Sequence, residues 1–349
     1  MSTPRASCLI AAIPALLFVI GCADEDLVGP ARRHAAPDSI PPAVVLDLVA
    51  ETVTPSTILL TWTASGDDGR RGRASAYDIR HSFRPRMDPS GGYWDSATPI
   101  SHEILPSPTG RGDCLLVTGL EPDTLYYFGV RTADDIPNWS GVSNVADART
   151  HMQTTVWGFY NGELLALEIS GQLLAPSELV HRISKDLALI RGRFPYMRDI
   201  GVRPDWFPGQ IVVQLTQEAW DAFHRGEYEG IDGLNDQYGP VEVSVASGAD
   251  RWLLLVFSKA YNSALLSDIY IQAPGVMNAH SAGYRGDGND ITSTEPGTYT
   301  FRRAWGDCPL GCGFSHYWVF AVDRCEVHLT DEYGVPLPMG VDPQNAGTF

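Results

Sequence analysis

Positive charge is in short supply in this chain. Its 349 residues carry 25 Lys and Arg against 42 Asp and Glu, a formal net charge of −17. A surface this acidic repels phosphate backbones, which argues against nucleic acid as a partner. Long apolar runs are scarce too. One follows Arg5, from about Cys8 to Ile20, and it is too short to cross a bilayer as a helix. Cysteine is sparse, six in all. No phosphate-binding glycine loop, Ser-His-Asp order, carboxylate pair or complete metal-ligand set stands out, so no cofactor and no catalytic residue is expected. What is present is 44% hydrophobic and 19% charged residues, the balance of a globular chain. The 34 Gly and 25 Pro favour β structure with many turns, and the length favours two domains.

The apolar run at the start has the form of a secretory signal. It ends in Val19-Ile20-Gly21-Cys22, which resembles the bacterial lipobox, in which the cysteine is lipidated and becomes the first residue. The resemblance implies a signal peptide over 1–21, an anchor at Cys22 and a membrane as partner through that lipid. Ala23 rather than Asp follows, which in a two-membrane bacterium implies the outer membrane of the cell envelope. An ordinary signal peptide with a coincidental Gly-Cys is the alternative. Residues 22–41 are rich in Ala, Pro and charge and read as a flexible tether. Cys114, Cys308, Cys312 and Cys325 then remain, in a compartment where disulfides persist, with three connectivities open if all pair.

From 42 to 150 the pattern is all β. The runs "STILLTWTA", "SAYDIRHS", "CLLVTGL" and "TLYYFGVRTAD" are separated by turn residues at sandwich-like spacing. This stretch resembles a fibronectin type III domain. Leu120-x-Pro122-x-Thr124-x-Tyr126 is similar to that family's tyrosine corner, and Trp62 and Tyr77 stand where it keeps its core tryptophan and tyrosine. The resemblance implies a seven-stranded sandwich with Trp62, Tyr77, Leu120 and Tyr126 as structural core, and a spacer or interaction module. Two departures are the loop "SGDDGRRGRA", where Asp67 and Asp68 are read as a turn in preference to a Ca²⁺ pair, and the insertion "HSFRPRMDPSGGYWDSATPI".

Residues 151–336 are expected to form an α+β domain. "PSELVHRISKDLALIRGRFP" has the apolar spacing of an amphipathic helix, with Ser177 as cap and Pro195 as stop. From Ile211 onward strands and helices follow in the order β-α-β-β-α-β, the ferredoxin-like split unit. The order and the Pro274-Gly275-Val276 turn resemble the propeptide-inhibitor family of subtilisin proteases, which implies docking against a protease. The block from "DLALIRGRFP" to "DEYG" also resembles an uncharacterised domain of secreted bacterial proteins, a resemblance that brings no assigned activity with it. The expected fold is therefore multidomain: an all-β fibronectin type III sandwich, then an α+β ferredoxin-like domain with a C-terminal β-hairpin extension, and a flexible tail over 337–349.

The densest chemistry lies in "RRAWGDCPLGCGFSHYWVF", from 302 to 320. A zinc site would take Cys308, Cys312 and His316, with Cys325 or His328 to complete four ligands. A thiol nucleophile would need His316 as base and Asp307 to orient it. In an oxidising compartment two cysteines four apart across Pro309 and Gly311 read instead as a Cys308–Cys312 disulfide stapling a hairpin tip. No metal is then expected, and the staple would present Trp305 and Leu310 as an interaction tip. A bridge between Cys114 and Cys325 is an alternative that nothing nearby supports, and both are expected to be free or buried. Asp287-Gly-Asn-Asp290 reads as a turn, and Arg285-Gly-Asp287 as a chance match to an adhesion tripeptide.

The expected function is that of a lipid-anchored cell-envelope protein with a binding or structural, non-catalytic role, its partner an unidentified protein or glycan. The alternatives are a protease-inhibitor module and an envelope hydrolase built around acids such as Glu163 and Glu168.

Overall fold

The computed structural model describes residues 38–87, 92–136, 138–152, 160–246, 248, 250–283, 286–308 and 311–338. The segment read as a signal, with Cys22 and Leu310, lies outside them. Residues 39–338 belong to one compact unit. Among the described residues no helix is long and apolar enough to cross a membrane.

The first part is a two-sheet sandwich. Its elements are β1 (Val49–Thr54), β2 (Thr57–Thr63), β3 (Ala76–Ser82), a single turn α1 (Tyr93–Ser96), β4 (Thr98–Pro99), β5 (Gly112–Val117), β6 (Leu125–Ala133) and β7 (Ala146–Arg149). One sheet has the order β1-β2-β5 and the other β4-β3-β6-β7. Alternation along each strand sends Ile58, Leu60 and Trp62 from β2 and Tyr126, Phe128 and Val130 from β6 into one core. Trp62 meets Tyr77 edge-on, with ring centroids 5.1 Å apart. The Tyr77 hydroxyl crosses between the sheets and donates to buried Asp113, 2.7 Å away. The Tyr126 hydroxyl accepts from the Glu121 N–H at 2.9 Å, a tyrosine corner in fact as well as in spacing. This is a fibronectin type III-like sandwich.

The insertion after β3 is not an idle loop. Met87, Trp94 and Ala97 make a small core against Tyr127 and Val142. Gly129 makes room for it, because a Cβ there would come within 3.0 Å of the Trp94 ring.

The second part opens with α2 (Asn161–Ser170) and α3 (Ser177–Arg193). The sequence pattern did not predict α2, whose Leu164, Leu165, Ala166 and Leu167 are all buried and leave no polar face to reveal a period. In α3 the capping position is Pro176, and Ser177 is already the first helical residue, so the expected cap is one residue off. The chain continues through β8 (Gln210–Leu215), α4 (Gln217–Arg225), α5 (Asp232–Tyr238), β9 (Pro240–Val245), β10 (Trp252–Phe257), α6 (Ser263–Tyr270) and β11 (Val276–Ser281). Thr216 caps α4 through its side chain, and Gly226 ends it in a left-handed conformation. These strands form one antiparallel sheet, β11-β8-β10-β9, with its own core against the helices.

The C-terminal segment departs from expectation. It is not a hairpin extension but a four-stranded antiparallel sheet: β12 (Asp290–Thr292), β13 (Thr298–Trp305), β14 (Phe314–Asp323) and β15 (Glu326–Gly334), paired in that order. Tyr299, Phe301, Trp318 and Phe320 alternate onto one face and are at most 1% exposed. They pack on α2 and α3 through Leu165, Ile183, Leu187 and Ile190. A bare hairpin has nothing to cover so much aromatic surface. The β8–β11 unit is thus inserted between α3 and the sheet on which α3 packs.

Candidate functional site

The stapled tip joins β13 to β14. Cys308 and Cys312 are disulfide-linked with Cα atoms 4.6 Å apart. What holds the tip in place is the Asp287–Asp290 stretch, read from sequence as a mere turn. Asp287 takes the Arg302 guanidinium in a two-pronged ion pair and accepts from the Cys312 N–H at 2.8 Å. Asn289 accepts from Ala304 N–H at 2.9 Å, and Asp290 accepts from the N–H groups of Arg203 and Ile291. Asp287 and Asn289 are therefore spent on bracing the base of the hairpin, and Asp290 ties the start of β12 to the chain before β8. Arg302 above all, and the Cys312 N–H after it, hold the Asp287 carboxyl well below the usual carboxylate range.

That shift carries a pH signature. A carboxylate depressed in the folded state contributes stability that is present above the unfolded value, about pH 4, and is lost as pH falls through the folded one. Asp287→Asn is expected to lower the melting temperature at pH 7, with the gap to the parent protein closing as pH falls from about 4 toward 2. A gap that stays constant across that range would contradict the brace.

Trp305 is half-buried and stacks on Phe314 at 6.0 Å, and Phe314 is the more exposed of the pair at 49%. His316 is buried and does not face the staple. Its Nδ1 meets the Val335 carbonyl at 2.9 Å, its Nε2 meets Glu332 at 3.0 Å, and its ring packs on Trp318. The thiols of Cys308 and Cys312 are consumed by each other and both His316 nitrogens have protein partners, so the three residues are not brought together as ligands. Asp67 and Asp68 sit in a tight turn, in which the Asp67 N–H donates to the Arg71 carbonyl at 2.6 Å.

Cys114 and Cys325 are where the sequence reading fails. They are neither free nor unpaired. They form a disulfide with Cα atoms 5.8 Å apart, 211 residues apart in sequence. β5 turns Cys114 and Leu116 outward from the sandwich core, and β2 turns out Leu59 beside them. Ala188 and Leu189 of α3, with Val322, Cys325 and Val327, cover that face. This is why "ILL" in β2 and "LALI" in α3 are apolar on both sides. Arg111 pairs with Glu326 at 2.8 Å at the rim, and Lys185 donates to the Arg324 carbonyl at 3.0 Å. Cys325 sits in the two-residue turn between β14 and β15, next to Arg324 with φ 56°, which aims it at the sandwich.

Beside this bridge runs a groove of about 1100 Å³ between β1 and β2 on one side and α3 and β15 on the other. Leu59, Ala188, Leu189 and Val327 give it an apolar floor, and Glu51, Arg193, Arg198 and His328 give it polar walls. Burial raises the Glu51 carboxyl, against the pull of Arg198 and Arg191. Floor and walls of this kind suit an extended ligand that is part apolar and carries polar or acidic groups. Of the acids considered for hydrolysis, Glu163 is raised by burial. Burial and the neighbouring Asp290 and Asp205 push Glu168 up to about 7. Of the two carboxylates beside Glu168, Asp290 is structural, committed to the N–H groups of Arg203 and Ile291.

No family model matches the chain. Calcium-activated chloride channel regulator 1 of Equus caballus is 31% identical over 114 residues, 32% of this chain and 12% of that protein; the chain thus spans about an eighth of that relative. A Fn3-like protein from Clostridium thermocellum is similar in structure, with TM-score 0.22 and 23% identity over 32% of this chain and 97% of its own. The fibronectin type-III domain of human fibronectin type III domain containing protein 3 has TM-score 0.24 and 16% identity, over 34% of this chain and 94% of its own. The structural neighbours are fibronectin type III domains and cover about a third of the chain, while the sandwich assignment itself stands on the strand order and the tyrosine corner.

Proposed function

We propose that this is an exported, lipid-anchored protein of the cell envelope, with a binding or structural role and no catalysis. The sandwich acts as a spacer rigidly joined to the α+β half, which it holds away from the membrane. The observation that carries this reading is the Cys114–Cys325 bridge. A disulfide between distant parts of a chain belongs to an oxidising compartment, in agreement with the signal-like start and the lipobox-like Val19-Ile20-Gly21-Cys22. The same bridge, with the apolar contact around it, favours a fixed relation between the two parts over a mobile one.

Counting β8, β9, β10 and β11 as 1 to 4, the sheet order is 4-1-3-2, with helices between 1 and 2 and between 3 and 4. This supports the ferredoxin-like reading of the inserted unit. It does not favour protease inhibition, because the chain after β11 runs into the β12–β15 sheet rather than a tail that could enter a protease. The groove beside the bridge is the surface for a protein or glycan partner.

Detergent phase separation tests the anchor. The full chain expressed in a bacterium is expected in the detergent-rich phase, and Cys22→Ala in the aqueous phase. A parent protein that stays aqueous would overturn the reading.

A further inference from the structure

The inserted sheet ends at β9, whose outer edge pairs with no strand among the described residues. Natural edge strands are usually blunted by charge, bulges or brevity. This one presents valines. Val241, Val243 and Val245 are 55%, 39% and 51% exposed. Val243 and Val245 pair with Leu255 and Leu253 of β10. They therefore share the face on which those leucines are fully buried, so this is an apolar core face that continues past its own covering. The helices on this face pack mainly toward the other strands: α4 and α6 over β8 and β11, with Leu234 and Tyr238 of α5 in the same core, and the β9 valines stay exposed.

The backbone points the same way. The Ala246 N–H donates to the Trp252 carbonyl of β10 at 2.9 Å. Along a strand these groups alternate in direction. Ser244 therefore also turns its N–H and C=O toward β10, while Val243 and Val245 turn theirs outward. The residues with free ladder groups are the residues with exposed apolar side chains.

We propose that β9 pairs with β9 of a second copy of this chain, antiparallel and centred on Val243, joining two sheets into one. The sequence Val241-Glu242-Val243-Ser244-Val245 reads the same way from either end in apolar and polar character. Under a two-fold axis through Val243, valine meets valine, and Glu242 meets the partner's Ser244 rather than the partner's Glu242. Like charges facing each other on paired strands are destabilising, and this register avoids them. An isologous contact requires such self-complementarity. Pro240, which has no N–H, and the left-handed Gly239 at 64° close the strand at one end and confine the pairing to this segment. The contact is small for a specific interface, so the dimer is weak, with Kd above about 1 µM.

The test uses the full chain in detergent solution. Sedimentation velocity of the parent protein is expected to show a monomer–dimer equilibrium that shifts with concentration. Val243→Lys, which places two ammonium groups face to face, is expected to weaken it at least tenfold with an unchanged melting curve, because Val243 lies on the surface. Val243→Cys, oxidised under native conditions, is expected to yield a covalent dimer above the level of the parent chain, since antiparallel partners bring Cα atoms within disulfide reach. Ser244→Cys, on the opposite face, is the comparison. A parent that stays monomeric at all concentrations would overturn the proposal. So would a dimer that Val243→Lys leaves intact, or cross-linking at 244 without cross-linking at 243.

Discussion

Replacing Cys114 and Cys325 together by alanine is expected to destabilise the protein more than any other change confined to its disulfides. The bridge closes a loop of 211 residues, while Cys308–Cys312 closes one of 4. Chain-entropy reasoning sets upper limits of about 5 kcal/mol for the first and about 2 kcal/mol for the second. The difference comes from how many conformations of the unfolded chain each link forbids. The long-range bridge also clamps the Leu59, Ala188 and Leu189 contact between the sandwich and α3. Its removal is therefore expected to do two things. The melting temperature falls by roughly 5–15 °C, and a single unfolding transition separates into two as the parts uncouple. Calorimetry of the double variant beside Cys308→Ala/Cys312→Ala makes the comparison. Equal losses in the two variants, or one undivided transition after the long bridge is cut, would mean that the sandwich and the α+β half do not depend on each other.

Trp318→Ala is expected to cost about 3–5 kcal/mol, the range for removing a large aromatic side chain from a packed core. Trp318 is 1% exposed, 5.7 Å from Tyr196 and 4.5 Å from His316 between ring centroids. It lies in the cluster that joins β12–β15 to α2 and α3. The loss should therefore reach the helices, with faster amide exchange across α3 as well as in β13 and β14. If the segment were an appended hairpin, exchange would rise in the hairpin alone and the global transition would hardly move.

What could be read from the sequence was whatever local spacing encodes. Leu120-x-Pro122-x-Thr124-x-Tyr126 announces the tyrosine corner because the hydroxyl bond it makes, to the Glu121 N–H, spans only five residues. The apolar spacing of "PSELVHRISKDLALIRGRFP" and the β-α-β-β-α-β order after Ile211 were legible for the same reason: they are written in local periodicity. Helix α2 was not, since "ELLALEI" is apolar on nearly every side and has no period to find. Cys114 and Cys325 could not be paired from sequence, because what brings them together is the outward face of β5 meeting the β14–β15 turn, a tertiary fact. The clue was present in "ILL" of β2 and "LALI" of α3, runs too apolar for a one-sided strand or helix, each needing a second covering layer. "DGND" misled in the opposite direction. Its acids suggested only a turn, whereas Asp287 holds Arg302 and the Cys312 N–H of the stapled tip and Asp290 holds the N–H groups of Arg203 and Ile291.

Non-reducing peptide mapping of the purified full chain tests the central claim most directly. The structure predicts two linked pairs of peptides, Cys114 with Cys325 and Cys308 with Cys312, and no free thiol among the four. Cys308 linked to Cys325, or Cys114 recovered alkylated, would contradict it, because the sandwich and the α+β half would then lack the bond that makes them one body.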